Sequence, residues 1–139
     1  MLLLDTHVWI WTLAGDARRI GRRARSLLTR AESRDALRIS PVTLFEVMAL
    51  HAAGRLQLTR PPDEWIRQAI ASAPVRIAEL SPSIAIDAGR IPRDVLADPM
   101  DRLLVATAAK MEATMLSADA RILQYGLRTR TLRTADAGR

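Results

Sequence analysis

The sequence predicts a three-layer α/β/α sandwich around a central, mainly parallel sheet of about five strands. Three observations carry that expectation. Short apolar or alternating segments recur along the 139 residues, and stretches of helical periodicity separate them. Alternation of this kind builds βαβ units, with helices covering both faces of a parallel sheet. A strand buried on both faces reads as an unbroken apolar run, as Leu2-Leu3-Leu4 does.

In chain order, Leu2 to Leu4 is the first strand and ends at Asp5. His7 to Leu13 is an apolar helix stopped by Ala14-Gly15-Asp16. From Ala17 to Arg34 the pattern is amphipathic: Ile20, Ala24, Leu27, Leu28 and Ala31 share one face, and Arg18, Arg22 and Arg25 line another. Leu37 to Ser40 is the second strand. Ser40-Pro41 then places a cap before a proline at the first helical position, opening a helix that runs to about Ala53 and stops at Gly54. Arg55 to Pro62 connects to a helix over Asp63 to Ala71, with Trp65, Ile66, Ala69 and Ile70 inward. Val75 to Leu80 alternates as a third strand. Ser81-Pro82 repeats the cap-then-proline signal for a short helix ending near Gly89. Asp98-Pro99 starts another, in which Leu104, Thr107, Ala108 and Met111 recur at helical spacing. Thr114 to Ser117 is the fourth strand, Asp119 to Gln124 a short helix, and Leu127 to Leu132 an edge strand. The reading is one domain over 1–133, followed by a polar, frayed tail over 134–139.

Composition narrows the chemistry. The chain has no cysteine, which removes disulfides, thiol catalysis and zinc–thiolate sites. No run approaches the roughly 18 apolar residues of a membrane span, and the amino terminus lacks the basic and apolar regions of a signal peptide, so the expected location is the cytoplasm and no membrane is expected as a partner. The net charge is +6, and all but one of the 21 basic residues are arginine. Arginine binds phosphate in a bidentate way and stays charged, so the balance favours nucleic acid or another polyanion.

Against that basic background, four acids stand beside apolar segments. Asp5 closes the first strand, Glu46 sits within Val42 to Met48, Asp101 opens the stretch Asp101 to Ala106, and Asp119 follows the fourth strand. Asp5 and Asp119 thus fall at carboxyl ends of strands, where an α/β sheet forms its crevice. Asp98 and Asp119 also read as helix caps, a role compatible with metal binding because a carboxylate has several lone pairs. Glu46 has no basic residue three or four positions away, so a buried Glu46 needs a partner from elsewhere. An ion pair with an arginine would satisfy either Glu46 or Asp5. Taken together, the four point to a divalent cation: Mg²⁺ and Mn²⁺ take hard oxygen ligands, and clustered carboxylates stay ionised when a cation compensates them.

The same residues carry a resemblance. Leu2-Leu3-Leu4-Asp5-Thr6-His7-Val8-Trp9-Ile10-Trp11 resembles the opening of PIN-domain toxins of the VapC type. Asp98-Pro99-Met100-Asp101-Arg102-Leu103-Leu104-Val105-Ala106 resembles their Asp-Pro-Phe-Asp-Arg segment, and Ser40 to Glu46 and Leu116 to Asp119 look like the two remaining motifs. The four occur in order across nearly the whole chain. The resemblance implies a PIN-like fold and a metal-dependent endoribonuclease, the toxin half of a type II toxin–antitoxin pair. It implies Mg²⁺ or Mn²⁺ as cofactor, RNA as substrate, a VapB-like antitoxin as partner, and a homodimer. By the same resemblance Asp5, Asp101 and Asp119 bind the metal, Glu46 orients a water or completes a second site, and Asp98 is an additional contributor. Thr6 and Ser117 support the site, and Arg102 is either a phosphate contact or a surface residue. Two departures stand out: Leu96 replaces a histidine found in many relatives, and Met100 replaces the usual phenylalanine.

The remaining candidates are weaker. His7 and His51 are the only histidines, and packing or a helix-end contact accounts for each. Trp9, Trp11 and Trp65 have apolar neighbours that favour core or interface roles over base stacking. There is no nucleophile elbow and no glycine-rich phosphate loop. A haloacid-type phosphatase would want an aspartate where the chain has His7, and a receiver domain would want adjacent acids. The rival from another class is a catalytically silent PIN-like module that binds RNA or protein.

Overall fold

The computed structural model describes residues 1–72 and 74–139. Among these described residues five strands, β1 (Leu2–Leu4), β2 (Leu37–Ile39), β3 (Arg76–Ile77), β4 (Thr114–Ser117) and β5 (Arg133–Asp136), form one sheet in the order β3-β2-β1-β4-β5. Every pairing is parallel. The helices are α1 (Thr6–Leu13), α2 (Arg22–Ser33), α3 (Pro41–Ala52), α4 (Pro62–Ser72), α5 (Pro82–Arg90), α6 (Pro99–Lys110) and α7 (Ala120–Arg128), with a 3₁₀ turn at Ala17–Arg19. None is long and apolar enough to cross a membrane.

The sheet divides the core as a two-residue period requires. Leu2, Leu4 and Leu116 face a cluster that takes in Val8, Trp9, Leu28, Val47 and Ile66, from α1 to α4. Leu3 and Met115 point the other way, into a cluster with Leu104, Val105, Ala108 and Ile122 of α6 and α7. Both faces of β1 are therefore dry, which is why its sequence is apolar throughout. Helix α5 lies outside α6, joined through Ile84, Ala88 and Ala106.

Local chemistry sets the helix starts. The hydroxyl of Ser40 accepts the Val42 N–H at 3.0 Å and that of Ser81 accepts the Ile84 N–H, each one residue before a proline. Gly54, at φ 70°, follows α3 in the left-handed region that suits glycine.

The last strand differs from expectation. The segment expected as a strand over Leu127 to Leu132 begins inside α7 and continues as a loop, and β5 forms at Arg133–Asp136, where a frayed tail was expected. β5 is polar because it is an edge strand: it pairs only with β4, and its polar side chains need no apolar cover. Residues beyond it are tied down as well. The Gly21 N–H donates to the Ala137 carbonyl at 2.9 Å and the Arg23 N–H to the Arg139 carbonyl at 2.8 Å.

Candidate active site

Strand order reverses between β1 and β4: the chain leaves β1 toward β2 and β3, then returns to lay β4 on the opposite side of β1. Loops leaving two such strands diverge and open a crevice at their carboxyl ends. Asp5 is the residue after β1, and Ser117 and Asp119 end and follow β4. Helix α6 brings Asp98 and Asp101 to the same place by its amino terminus, and α3 brings Glu46 from its second turn. A cavity of about 280 Å³ results, lined by Asp5, Glu46, Asp98, Asp101 and Asp119 together with His7, Trp11, Ala118 and Arg121. All five acids singled out by the sequence converge there.

Each acid has a defined setting. Asp5 is 7% exposed and caps α1, its Oδ1 accepting the Thr6 N–H at 2.8 Å. Its Oδ2 accepts the Ser117 hydroxyl at 2.7 Å, and Ser117 Oγ in turn accepts the Asp119 N–H at 3.0 Å. One buried hydroxyl thus joins the ends of β1 and β4. Burial raises the Asp5 pKa, against the lowering effect of its two hydrogen bonds. Glu46 accepts the Thr6 hydroxyl at 2.6 Å, and Thr6 Oγ1 also lies 3.1 Å from Thr43 Oγ1. The partner that Glu46 needed is therefore a hydroxyl and not an arginine. Its pKa is raised by burial and by Asp5 and Asp98.

Asp101 is the most perturbed member. It is 8% exposed, and burial followed by the charges of Asp98, Asp5, Asp119 and Glu46 pushes its pKa up to about 7. Asp98 is exposed and caps α6, accepting the Met100 N–H at 2.8 Å. Asp119 caps α7 through the Arg121 N–H, and the Arg121 guanidinium also donates to both of its carboxylate oxygens, at 3.2 and 2.9 Å. That arginine holds the Asp119 pKa below the ordinary carboxylate value.

Five carboxylates with hard oxygen donors, one of them driven toward neutrality by burial and by the others, fit a divalent cation by donor chemistry and by charge. Among the described residues no three such side chains already stand in an ion-holding arrangement. The oxygens of Asp5, Glu46, Asp98 and Asp119 instead face Ser117, Thr6, the Met100 N–H and Arg121 respectively, and Arg121 would have to share Asp119 with a metal.

Other expected residues fall elsewhere. Arg102 is absent from the cavity lining, and its Nε is buried without a hydrogen-bond partner. Leu96 is 2% exposed and Met100 packs against the core on the α6 side, so both departures from the family pattern serve packing. Trp9 lies in the core and meets Trp65, which packs against it partly buried, edge to face. The stripe of Arg18, Arg22 and Arg25 is exposed on the surface. Arg121, Trp11 and Ala118 line the cavity without having been placed there from the sequence, and His7, for which the sequence favours packing or a cap bond, lines it as well. For His7 and Trp11 the available signal was their spacing of four on the helix that Asp5 caps.

A family model described as PIN domain matches residues 2–127. Ribonuclease VapC22 of Mycobacterium tuberculosis (strain ATCC 25618 / H37Rv) is 31% identical over 124 residues, 89% of this chain and 91% of that protein. Among solved structures, VapBC2 from Rickettsia felis bound to a promoter DNA fragment aligns with a TM-score of 0.68 at 13% identity, covering 97% of each chain. DNA-bound VapBC from Salmonella typhimurium aligns with a TM-score of 0.65 at 20% identity, covering 97% of this chain and 96% of that one. At these identities the two structures speak for the fold.

Proposed function

The chain belongs to the PIN-domain family, with a VapC ribonuclease among its relatives, and on that premise we propose that it is a divalent-metal-dependent endoribonuclease, the toxin component of a toxin–antitoxin pair. The observation that carries this reading is the convergence of Asp5, Glu46, Asp98, Asp101 and Asp119 on one cavity at the β1–β4 switch point.

Asp5, Asp101 and Asp119 would hold Mg²⁺ or Mn²⁺, with Asp98 able to contribute. A bound cation supplies polarisation of the phosphodiester and an acidified water. Asp5 is fixed for its role by Ser117, and Glu46 by Thr6, so each presents its free lone pairs without rearranging. Glu46, partly buried and raised in pKa, is suited to accept a proton from the attacking water. Arg121 is the one arginine in the lining and reaches a phosphate if it leaves Asp119.

An antitoxin partner accords with the VapBC complexes that share the fold. Phe45 at 61% and Met48 at 41% exposure on α3, and Ile86 at 57% on α5, are apolar surface that a second copy or an antitoxin would cover. The net charge of +6 suits an RNA substrate, met in the cytoplasm. The test is cleavage of structured RNA with and without Mg²⁺, comparing the unaltered chain with Asp5→Ala. Cleavage that needs the metal and is lost on substitution is expected. Metal-independent cleavage, or cleavage undiminished in the variant, overturns the reading.

A further inference from the structure

The three tryptophans occupy different environments. Trp9 is 1% exposed, belongs to the core and meets Trp65 at 5.7 Å between ring centroids and 73° between planes, and Trp65 is partly buried against that core. Trp11 is likewise partly buried against the same cluster, and it is the tryptophan that forms part of the wall of the acidic cavity. His7 stands 6.4 Å from it on the same helix face, and the Arg19 guanidinium lies 5.3 Å from its ring centroid. Arg19 is held in turn by Asp16 at 2.8 Å. His7 and Trp11 are one helical turn apart, a rise of about 6 Å, so the two rings form a strip leading away from Asp5 along α1.

An indole is an unexpected wall for a cavity whose other side chains are mainly carboxylates. Acids and a cation account for a phosphodiester but offer nothing to its base. A π-face nearly two helical turns from Asp5, a rise of about 9 Å, offers a flat apolar surface to a group attached to that phosphodiester. Arg19 steadies the ring through its cation–π contact and adds positive charge beside it.

We propose that Trp11, flanked by His7 and Arg19, seats an unstacked base of single-stranded RNA next to the phosphodiester held at the acids. The proposal rests on the nuclease reading of the cavity. A base can reach the indole only when it is free of a duplex, so the platform selects loops and unpaired ends, and it tolerates sequence because every base has a π-face. Arg19 then lies near the adjoining phosphate.

The test uses the full chain carrying Asp5→Asn, since asparagine keeps the helix cap while weakening the metal cluster, so that RNA is bound without being cut. A short oligo(A) RNA and a fully abasic ribose-phosphate polymer of equal length are titrated, and tryptophan emission and affinity are read. Oligo(A) is expected to quench emission and to bind on the order of tenfold tighter than the abasic polymer. Adding Trp11→Ala removes both the quench and the preference, whereas Trp11→Phe removes the quench and keeps most of the preference. Equal binding of the two polymers, or an unchanged preference in Trp11→Ala, overturns the platform. Cleavage by the unaltered chain is measured separately with Mg²⁺. Cleavage together with equal binding rejects the platform alone, and base preference through Trp11 without cleavage rejects the nuclease reading alone.

Discussion

At the scale of the residue, Asp101 is the point where burial and like charge meet. Its carboxyl titrates near 7 because it is buried and because Asp98, its largest charged perturber, stands one helical turn away. Asp98→Asn keeps a capping side chain on α6 while removing that charge. The Asp101 pKa is then expected to fall, and the acid limb of the cleavage pH profile to move to lower pH; an unmoved limb would dissociate Asp98 from Asp101. Arg121→Ala releases Asp119 from its guanidinium and makes the cavity more negative. Mn²⁺ binding without RNA is expected to tighten several-fold, and RNA binding to weaken. Calorimetry of both ligands checks this, and unchanged Mn²⁺ affinity would contradict it. The acids were legible in the sequence because a charge at the end of a buried strand or within an apolar helix demands a partner. Arg121 and Trp11 were not, because an arginine among 19 others and a tryptophan among apolar neighbours acquire a role only when a helix is aimed at the cavity.

At the scale of the element, caps and prolines located the helix starts, since Ser40, Ser81, Asp98 and Asp119 all cap through their side chains as expected. The last strand was illegible for a physical reason: Arg133-Thr134-Ala135-Asp136 has no apolar run, and its place comes from non-local contacts, pairing with β4 and packing against α7. Its continuation crosses the start of α2 so closely that a Cβ on Gly21 would collide with the backbone of Arg139. Gly21→Ala is therefore expected to destabilise by about 1–3 kcal/mol, in the range of other overpacking substitutions, or to unseat the residues after β5. Denaturant unfolding measures the first effect, and amide exchange at Arg23, whose N–H is bonded to the Arg139 carbonyl, reports the second. Unchanged stability together with an equally protected Arg23 amide would contradict the packing described.

At the scale of the whole molecule, the acid cluster couples folding to pH and to metal. Asp101, Asp5 and Glu46 have raised pKa values in the folded chain, so their protonated forms favour folding. That contribution is complete below the ordinary carboxylate value of about 4 and is lost as pH rises, for Asp101 through about 7. Asp119, lowered by Arg121, works in the opposite sense, favouring folding above about pH 4 and losing that effect as pH falls. The metal-free protein is thus expected to lose thermal stability between pH 5 and 8, and Mg²⁺ to restore it at pH 8 but not at pH 5, where Asp101 holds a proton. The fold class was legible at this scale because alternation of apolar strands and helices constrains topology strongly. Convergence of acids from β1, α3, α6 and the β4–α7 junction was legible only as an expectation, since strand order is not written in any local pattern. The account stands most directly on whether those acids act as one metal centre. Calorimetric titration of Mn²⁺ into the unaltered chain and into Asp5→Asn, Asp101→Asn and Asp119→Asn at pH 7.5 measures this. Binding to the unaltered chain that weakens by tenfold or more in each variant is the predicted result; binding that survives all three substitutions unchanged would contradict it.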